Sequence, residues 1–249
     1  MESTEVKVAL VTGAATGLGR ACALKLAQAG FTIAANYRTK KDEAETLLQE
    51  LRGGRHTLFQ ADISDPAACA GLVSEVLATY GTITALVNVA GRFTEQDIVS
   101  PDFASWNSSW SHSLATNLIA PVNLCYLVAQ AMISRSSGKI VNISSRGAFR
   151  GEPAAPAYGA AKSGLNSASQ SLAVALAPHG ISVYAIAPGW VETPSASPRI
   201  GADAIAQIPL GRVGRPTEVA NLVAFLLGDE TDYLTGAIID ANGASYLRN

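Results

Sequence analysis

Short apolar runs alternate along the chain with longer segments in which apolar residues recur at helical spacing. The runs lack the alternation of polar and apolar residues that a half-exposed strand shows, so both of their faces are expected to be buried. This order predicts a parallel sheet covered by helices on both faces. The seven runs lie at residues 6–11, 32–36, 57–60, 85–89, 139–143, 182–187 and 237–240.

The segments between these runs have helical period at residues 18–29, 41–51, 66–80, 110–134, 157–177 and 216–227. Glycines follow four of them, where a positive φ ends a helix easily: Gly30, Gly81, Gly138 and Gly180. No repeat or linker interrupts the pattern. The sequence therefore predicts a single-domain, Rossmann-type, doubly wound α/β fold of about seven strands over residues 1–249.

Two segments, 91–109 and 191–209, are rich in Ser, Pro and small polar residues and are predicted to be surface loops. Both follow strand runs. Loops after the carboxyl ends of parallel strands surround the ligand crevice, so these two are expected to form the substrate pocket.

Composition supports one large core, since 48% of the residues are hydrophobic and 15% are charged. With 18 basic and 20 acidic residues, no segment concentrates positive charge, which argues against a nucleic-acid partner. Residues 1–7 carry two glutamates and do not fit a signal peptide. No apolar stretch approaches bilayer length, so a cytoplasmic protein without a membrane association is predicted.

Cysteines and histidines are scattered, without CxxC or metal-ligand spacing. The odd number of cysteines argues against a disulfide framework, and they are interpreted as small buried apolar residues. No metal site is predicted. The six residues are Cys22, Cys69, Cys125, His56, His112 and His179.

Residues 12–19, TGAATGLG, directly follow the first strand and open the first helix. Glycines there permit a tight turn and let the backbone approach a pyrophosphate, whose charge is stabilised by helix amides. A simple strand-to-helix turn is the alternative, but the location favours a dinucleotide site. The candidate residues are Gly13, Thr16, Gly17, Leu18 and Gly19.

Tyr158 and Lys162 lie four residues apart in a predicted helix, so their side chains project from one face. A nearby ammonium favours the phenolate and lowers the pKa of a tyrosine. The pair alone is more often packing plus a solvated charge. Ser145 strengthens the case, because it lies thirteen residues before Tyr158, just beyond a strand run where its hydroxyl could stabilise a substrate oxygen. Ser144 is the neighbouring alternative.

Several motifs together resemble the short-chain dehydrogenase/reductase family over residues 6–246. They are the glycine pattern of residues 12–19, NVAG at 88–91 with Val89 in place of the family's second Asn, Pro188-Gly189, PLGR at 209–212 and PTEVA at 216–220. Among relatives, the likeness is to 3-oxoacyl carrier-protein reductases and broader carbonyl reductases.

The resemblance implies hydride exchange between a nicotinamide and a carbonyl or secondary alcohol. It assigns Tyr158 as general acid, Ser145 as the group that polarises the carbonyl, Lys162 as the residue that lowers the phenol pKa and binds the ribose, and Asn117 as support for a proton relay. It also implies a homotetramer. Further implied cofactor contacts are Asp62, Ile63, Asn88, Ala90, Gly91, Pro188, Gly189, Val191 and Thr193. Asp62 could instead cap the helix near residue 66.

Cofactor choice depends on the residues after the second strand. No acidic residue lies between Gly19 and Asp42 to hold a ribose 2′-hydroxyl. Asn36, Tyr37 and Arg38, with two lysines after them, offer donors and positive charge to a 2′-phosphate. NADP(H) is therefore predicted as the preferred cofactor, with NAD(H) possible; a solvated helix start is the alternative interpretation.

Candidate substrate residues are Phe93, Ser145, Arg146, Glu152, Tyr158 and Trp190, with residues 193–209 as a lid. For any one of Phe93, Arg146, Glu152 and Trp190, local packing in a surface loop is an equal alternative. Arg146 is a candidate contact for an anionic substrate. Ser136 and His179 occupy positions where many carrier-protein reductases present arginines, which argues against a carrier-protein partner.

Two rival functions remain at this point. A polyol or sugar dehydrogenase acting oxidatively shares every catalytic residue. A non-catalytic, dinucleotide-sensing binding protein would more typically have lost the tyrosine or the lysine.

Overall fold

A computed structural model describes residues 6–99 and 102–248. The described residues form a seven-stranded parallel sheet with the order β3-β2-β1-β4-β5-β6-β7. The strands are β1 Val8–Val11, β2 Thr32–Tyr37, β3 Thr57–Gln60, β4 Ala85–Asn88, β5 Gly138–Ile143, β6 Ile181–Pro188 and β7 Ile238–Ala241. The predicted single-domain, doubly wound α/β fold is confirmed.

Helices cover both faces of the sheet. They are α1 Gly17–Gln28, α2 Lys41–Glu50, α3 Pro66–Tyr80, α4 Phe103–Leu114, α5 Ala120–Ile133, α6 Gly147–Arg150, α7 Pro156–Leu176, α8 Ala202–Ala206 and α9 Pro216–Leu226. A π-helical turn, Ala115–Ile119, joins α4 to α5, and 3₁₀ turns lie at Ala177–His179, Ser197–Arg199 and Asp232–Leu234. Residues 1–5, 100, 101 and 249 lie outside the described ranges. The interpretation that residues 1–7 are not a signal peptide therefore falls mostly outside the described part of the chain.

The core lies on both sides of the sheet because successive strand residues face opposite sides. In β1, Ala9 and Val11 pack into a core that includes α1 and α9, whereas Val8 and Leu10 pack into a core that includes α3, α5 and α7. All four side chains are fully buried. This explains the continuous apolar strand runs. Cys22, Cys69 and Cys125 are buried, as predicted, and form no disulfide within the described residues.

Glycines end helices at three of the four predicted places. Gly30, Gly81 and Gly180 have positive φ values of 87°, 73° and 70°. The prediction for Gly138 is wrong, because this residue begins β5. A Cβ on Gly138 would collide with the Met132 side chain, so close packing selects the glycine there.

Both predicted loops contain helix. Helix α4 begins at Phe103, well before residue 110, because the Asp102 side chain accepts a hydrogen bond from the Ser105 amide and caps the helix. The 191–209 segment contains the Ser197–Arg199 turn and α8. The loop predictions are therefore correct for residues 91–99 but too long in both segments.

The continuous helical stretch Phe103–Ile133 is long and apolar enough to cross a bilayer by length and composition alone. This contradicts the expectation that no stretch approaches that length. Leu124, Cys125, Val128 and Met132 of this stretch are completely buried in the core beside the sheet. A core helix of a globular domain passes the same test, and packing accounts for its apolar composition.

Topology brings the candidate site to one edge. β1 lies between β2 and β4, so the direction of winding reverses there and a crevice opens at the carboxyl ends of the strands. The glycine loop follows β1, the NVAG segment follows β4, and Ser145 follows β5. Residues distant in sequence therefore meet around this crevice.

Candidate active site

The glycine loop is fastened to the segment after β4 by Thr12. Its hydroxyl oxygen accepts hydrogen bonds from the backbone amides of Val89 and Ala90 at 2.9 and 3.0 Å. Gly13 and Gly17 have positive φ values of 63° and 55°. A Cβ on Gly13 would lie only 3.1 Å from Ala90 Cα, so glycine is required both by conformation and by space.

The start of α1 is open to a ligand. Thr16 is the N-cap residue, and its side chain makes no capping hydrogen bond. A Cβ on Gly19 would collide with the Gly13 carbonyl, so the helix packs tightly against the turn. Thr193 packs against Gly17, because a Cβ added to Gly17 would lie 3.3 Å from the Thr193 side chain. A close-packed glycine turn leading into uncapped helix amides fits the diphosphate of a dinucleotide.

Asn36 braces this loop from inside the protein. Its Oδ1 accepts from the Gly13 amide at 3.4 Å, and its Nδ2 donates to the carbonyls of Phe59 and Ala61. Asn36 and Tyr37 are both buried. Of the three residues predicted to meet a 2′-phosphate, only Arg38 therefore has an exposed side chain.

Arg38 lies beside Asp62 at the carboxyl ends of β2 and β3, with 3.5 Å between Nη1 and Oδ2. The Asp62 carboxylate also accepts two hydrogen bonds from Ser64, which, with the charge of Arg38, lower its pKa. Asp65, not Asp62, caps α3 by accepting from the Ala67 amide. The capping interpretation of Asp62 is therefore wrong.

Asn88 anchors the end of β4 in a buried polar network. Its Nδ2 donates to Asn142 Oδ1 at 2.9 Å, and Asn142 Nδ2 donates to Ser169 Oγ at 2.9 Å. The network joins β4, β5 and α7. Because buried amides need hydrogen-bond partners, it fixes the register of the elements that form the crevice.

Asn117 and Lys162 meet behind the glycine that ends the NVAG segment. A Cβ on Gly91 would lie 2.9 Å from Asn117 Oδ1 and 3.5 Å from Lys162 Nζ. Asn117 is fully buried in the π-helical turn and exchanges hydrogen bonds with the backbone of Arg92 in both directions at 2.9 Å. Lys162 Nζ donates to the Ile143 carbonyl at 2.7 Å.

Ser145 and Tyr158 come together at the same edge. The Ser145 hydroxyl lies near enough to the Tyr158 phenol to influence its titration, and Ser145 Oγ accepts from the Gly147 amide at 3.0 Å. Lys162 Nζ lies 5.9 Å from the centre of the Tyr158 ring. Ser144 is buried and directs its hydroxyl to the Lys162 carbonyl, so it is Ser145 that faces the phenol.

Burial controls the titration of this pair. It raises the pKa of Tyr158 above its ordinary value, and the nearby Ser145 hydroxyl opposes the rise. Burial also lowers the pKa of Lys162 to about 8. The expected lowering of the phenol pKa by Lys162 is not found, because the desolvation of the phenolate outweighs other influences. Tyr158 is therefore a protonated donor at neutral pH.

Aromatic and cationic side chains line the approach to Tyr158. The Phe93 ring meets Tyr158 edge-on, with 5.1 Å between ring centres. The Arg199 guanidinium lies 4.1 Å from the Phe93 ring centre and 5.7 Å from that of Trp190. Arg199 was not singled out from sequence, although it belongs to the predicted lid. A residue of the predicted lid thus contacts the aromatic ring that packs against Tyr158.

Arg146 and Glu152 lie near Trp190 and Arg199. Arg146 is buried, donates from Nη2 to Gln207 Oε1 at 3.0 Å, and has its guanidinium carbon 5.9 Å from the Trp190 ring centre. Glu152 is half-buried and packs over Gly147, and burial raises the pKa of its carboxyl. Charged groups are therefore held beside the pocket in a partly desolvated environment.

The other predicted cofactor positions lie around the crevice. Gly189 follows β6, and an added Cβ there would be 3.0 Å from Asn242 Cα. Val191 forms an isolated parallel bridge with Gly214. Pro188 ends β6, Ile63 is buried beyond β3, and Leu18 lies in the first turn of α1. No group of three potential ligands from His, Cys, Asp and Glu comes together in residues 6–99 and 102–248.

Comparison with known proteins identifies the family. A family model described as enoyl-(acyl carrier protein) reductase matches residues 13–243. The chain is 35% identical over 246 residues to the 3-oxoacyl-[acyl-carrier-protein] reductase FabG of Staphylococcus aureus, an alignment that covers 97% of this chain and 98% of that protein. The chain belongs to the short-chain dehydrogenase/reductase family.

Other short-chain dehydrogenase/reductases are similarly close. The acetoacetyl-CoA reductase of Shinella zoogloeoides is 36% identical over 246 residues, with 96% of this chain and 98% of that protein covered. The structure of acetoin dehydrogenase YohF from Salmonella typhimurium superposes with a TM-score of 0.88 at 31% identity, covering 98% and 97% of the two chains. The chain is thus an NAD(P)-dependent oxidoreductase acting on small molecules.

Proposed function

We propose that this short-chain dehydrogenase/reductase reduces a small-molecule ketone to a secondary alcohol, with NADPH as the preferred hydride donor. The observation that carries the proposal is the meeting of Ser145 and Tyr158 at one crevice edge, with Lys162 and Asn117 behind them. The glycine cradle and the open start of α1 fit the cofactor. When bound, the nicotinamide supplies the hydride.

Each side chain has a defined task in this reaction. The hydroxyls of Ser145 and Tyr158 donate hydrogen bonds to the carbonyl oxygen and stabilise the negative charge that develops on it. Tyr158 then gives its proton to that oxygen, so the ketone gains one hydride and one proton. Lys162 holds the cofactor ribose, stabilises the phenolate left behind and, with Asn117, supports its reprotonation from solvent.

The direction of the pKa shifts predicts the pH dependence. Because burial raises the pKa of Tyr158, its phenol stays protonated through neutrality. We expect kcat/KM for ketone reduction to change little between about pH 6 and pH 8 and to fall at higher pH, while kcat/KM for alcohol oxidation rises with pH. Profiles in both directions measure this. A reduction rate that rises steadily with alkalinity would contradict it.

Arg38 is proposed to carry the NADPH preference. Loss of one charge-assisted contact predicts that Arg38→Ala lowers kcat/KM with NADPH by about 10- to 100-fold while changing the value with NADH little. Arg52→Ala is the matched control, since Arg52 is exposed and lies between α2 and the start of β3, at the opposite edge of the sheet from Arg38. Wild-type kinetics that favour NADH, or an equal loss with both cofactors in Arg38→Ala, would argue against the assignment.

Substrate class is the main test of the proposed direction. A panel of ketones and secondary alcohols, followed at the NADPH absorbance, should show faster reduction than oxidation at neutral pH. Polyol or sugar oxidation in preference to every ketone would favour the alternative, a dehydrogenase with the same catalytic residues. Ser136 and His179, in place of arginines, favour a free small molecule over a carrier-bound substrate.

We also propose that the enzyme is a cytoplasmic homotetramer, the assembly that its family resemblance implies. Light scattering coupled to size-exclusion chromatography measures the mass of the assembly.

A further inference from the structure

Two buried hydrogen-bond donors near the crevice edge have no acceptor among the described residues. They are Arg146 Nη1 and the indole Nε1 of Trp190. Arg146 is only 4% exposed, and burying a charged donor without a partner is unfavourable. The two side chains belong to one cluster, with 5.9 Å between the guanidinium carbon and the indole ring centre.

The positive charge of Arg146 has a neutral hydrogen-bond partner but no carboxylate in direct contact among the described residues. Its Nη2 donates to the neutral Gln207 amide, which also accepts from Arg150. The charges that act on this cluster are three arginines, Arg146, Arg150 and Arg199, and one carboxylate, Glu152. Glu152 makes no ion pair with Arg146 within the described part of the chain. The cluster therefore has an excess of positive charge.

This cluster is connected to the proposed catalytic phenol. Arg146 directly follows Ser145 in sequence, and its amide donates to the Pro188 carbonyl at 2.9 Å, which fixes it at the crevice edge. On the other side, Arg199 bridges the Trp190 and Phe93 rings, and Phe93 touches Tyr158. A substrate whose carbonyl lies at Ser145 would extend past the side chains of Arg146 and Trp190.

We propose that Arg146 and Trp190 bind a carboxylate of the substrate, so that the enzyme acts on oxo acids in preference to neutral ketones. A carboxylate oxygen accepts from a guanidinium and from an indole N–H, and its charge offsets the excess of the cluster. This inference depends on the proposed function for its chemistry, but it makes a separate statement about binding.

Pairs of substrates that differ in whether they carry a carboxylate or its methyl ester provide the test. They are 2-oxobutanoate, 3-oxobutanoate and 4-oxopentanoate, each compared with its methyl ester in the presence of NADPH. We expect at least one acid to exceed its ester in kcat/KM by about 10- to 100-fold, the effect of a buried charged hydrogen bond. Wild-type enzyme that prefers the ester in every pair would overturn the inference.

Variants assign the preference to these two residues. Arg146→Met is expected to lower kcat/KM for the acid by about 10- to 100-fold and to leave the ester nearly unchanged, whereas Arg146→Lys restores part of the preference. Trp190→Phe retains an aromatic ring, although a smaller one, but removes the N–H and should weaken the acid more than the ester. Arg52→Met is the control, because Arg52 is exposed and lies between α2 and the start of β3, away from this cluster. Equal losses for acid and ester in Arg146→Met would mean a structural role and overturn the inference.

Calorimetry separates failure of this inference from failure of the proposed function. The acid and its ester are titrated into wild-type and Arg146→Met protein saturated with NADP⁺, where no reduction occurs. Tighter binding of the acid to wild type, lost in Arg146→Met, supports the carboxylate site even if no ketone is reduced. Equal affinities of acid and ester for wild type reject the site even if ketones are reduced.

Discussion

Replacing Tyr158 with phenylalanine is expected to lower kcat/KM for ketone reduction by about 10²- to 10⁴-fold, the range produced by loss of a positioned general acid. The substitution removes the phenol oxygen near Ser145 and retains the ring that contacts Phe93. Because burial keeps the wild-type phenol protonated, the variant loses the proton donor itself. Steady-state kinetics with NADPH and the best ketone of the panel measures the loss.

The same variant should retain its fold and its affinity for NADPH, because the glycine cradle is elsewhere along the crevice. Thermal unfolding and calorimetric titration with NADPH check both. Near-normal turnover in Tyr158→Phe would remove Tyr158 from the mechanism. A non-catalytic dinucleotide-sensing protein would instead bind NADPH equally in both forms and reduce no ketone in either.

Ser145→Ala is expected to lower kcat/KM by about 10²- to 10³-fold, as removal of one donor to a developing oxyanion does in other enzymes. The Ser145 hydroxyl lies at the carboxyl edge of β5, accepts from the Gly147 amide and interacts with Tyr158. Its loss leaves the general acid in place but removes a second donor to the carbonyl oxygen. Most of the effect should therefore appear in kcat.

Ser144→Ala is the matched control. Ser144 is buried next to Ser145 and donates to the Lys162 backbone carbonyl at 3.4 Å, away from the phenol. We expect a decrease in the free energy of unfolding of about 1 kcal/mol and kcat/KM close to wild type. A larger kinetic loss in Ser144→Ala than in Ser145→Ala would show that the wrong serine has been assigned.

Local patterns were sufficient to predict the sheet and the cofactor loop. The seven apolar runs became seven parallel strands, because strands buried on both faces need uninterrupted apolar sequence. The order of strand, glycines and helix at residues 12–19 has few other structural solutions. Where tertiary packing decides, sequence was insufficient: Gly138 is required by the Met132 side chain and not by helix termination.

Two features of the candidate site also depend on tertiary structure. Asn36 appeared to offer a free amide, but that amide joins the glycine loop to the carbonyls of Phe59 and Ala61 at the end of β3. Tyr158 was expected to have a lowered pKa beside Lys162, yet the burial of both groups moves the two values in opposite directions. Burial is a property of the assembled crevice, which a spacing of four residues cannot specify. The early start of α4 was readable in principle, from Asp102 as an N-cap.

A crystal structure of the enzyme with NADP⁺ and an alcohol product tests the central claim most directly. The predicted result has the diphosphate on the uncapped amides at the start of α1, the nicotinamide facing the alcohol carbon, and the Tyr158 oxygen at about 2.6–3.2 Å from the alcohol oxygen. A nicotinamide and a phenol directed into separate regions, with the diphosphate bound away from the glycine turn, would contradict the mechanism proposed for this chain.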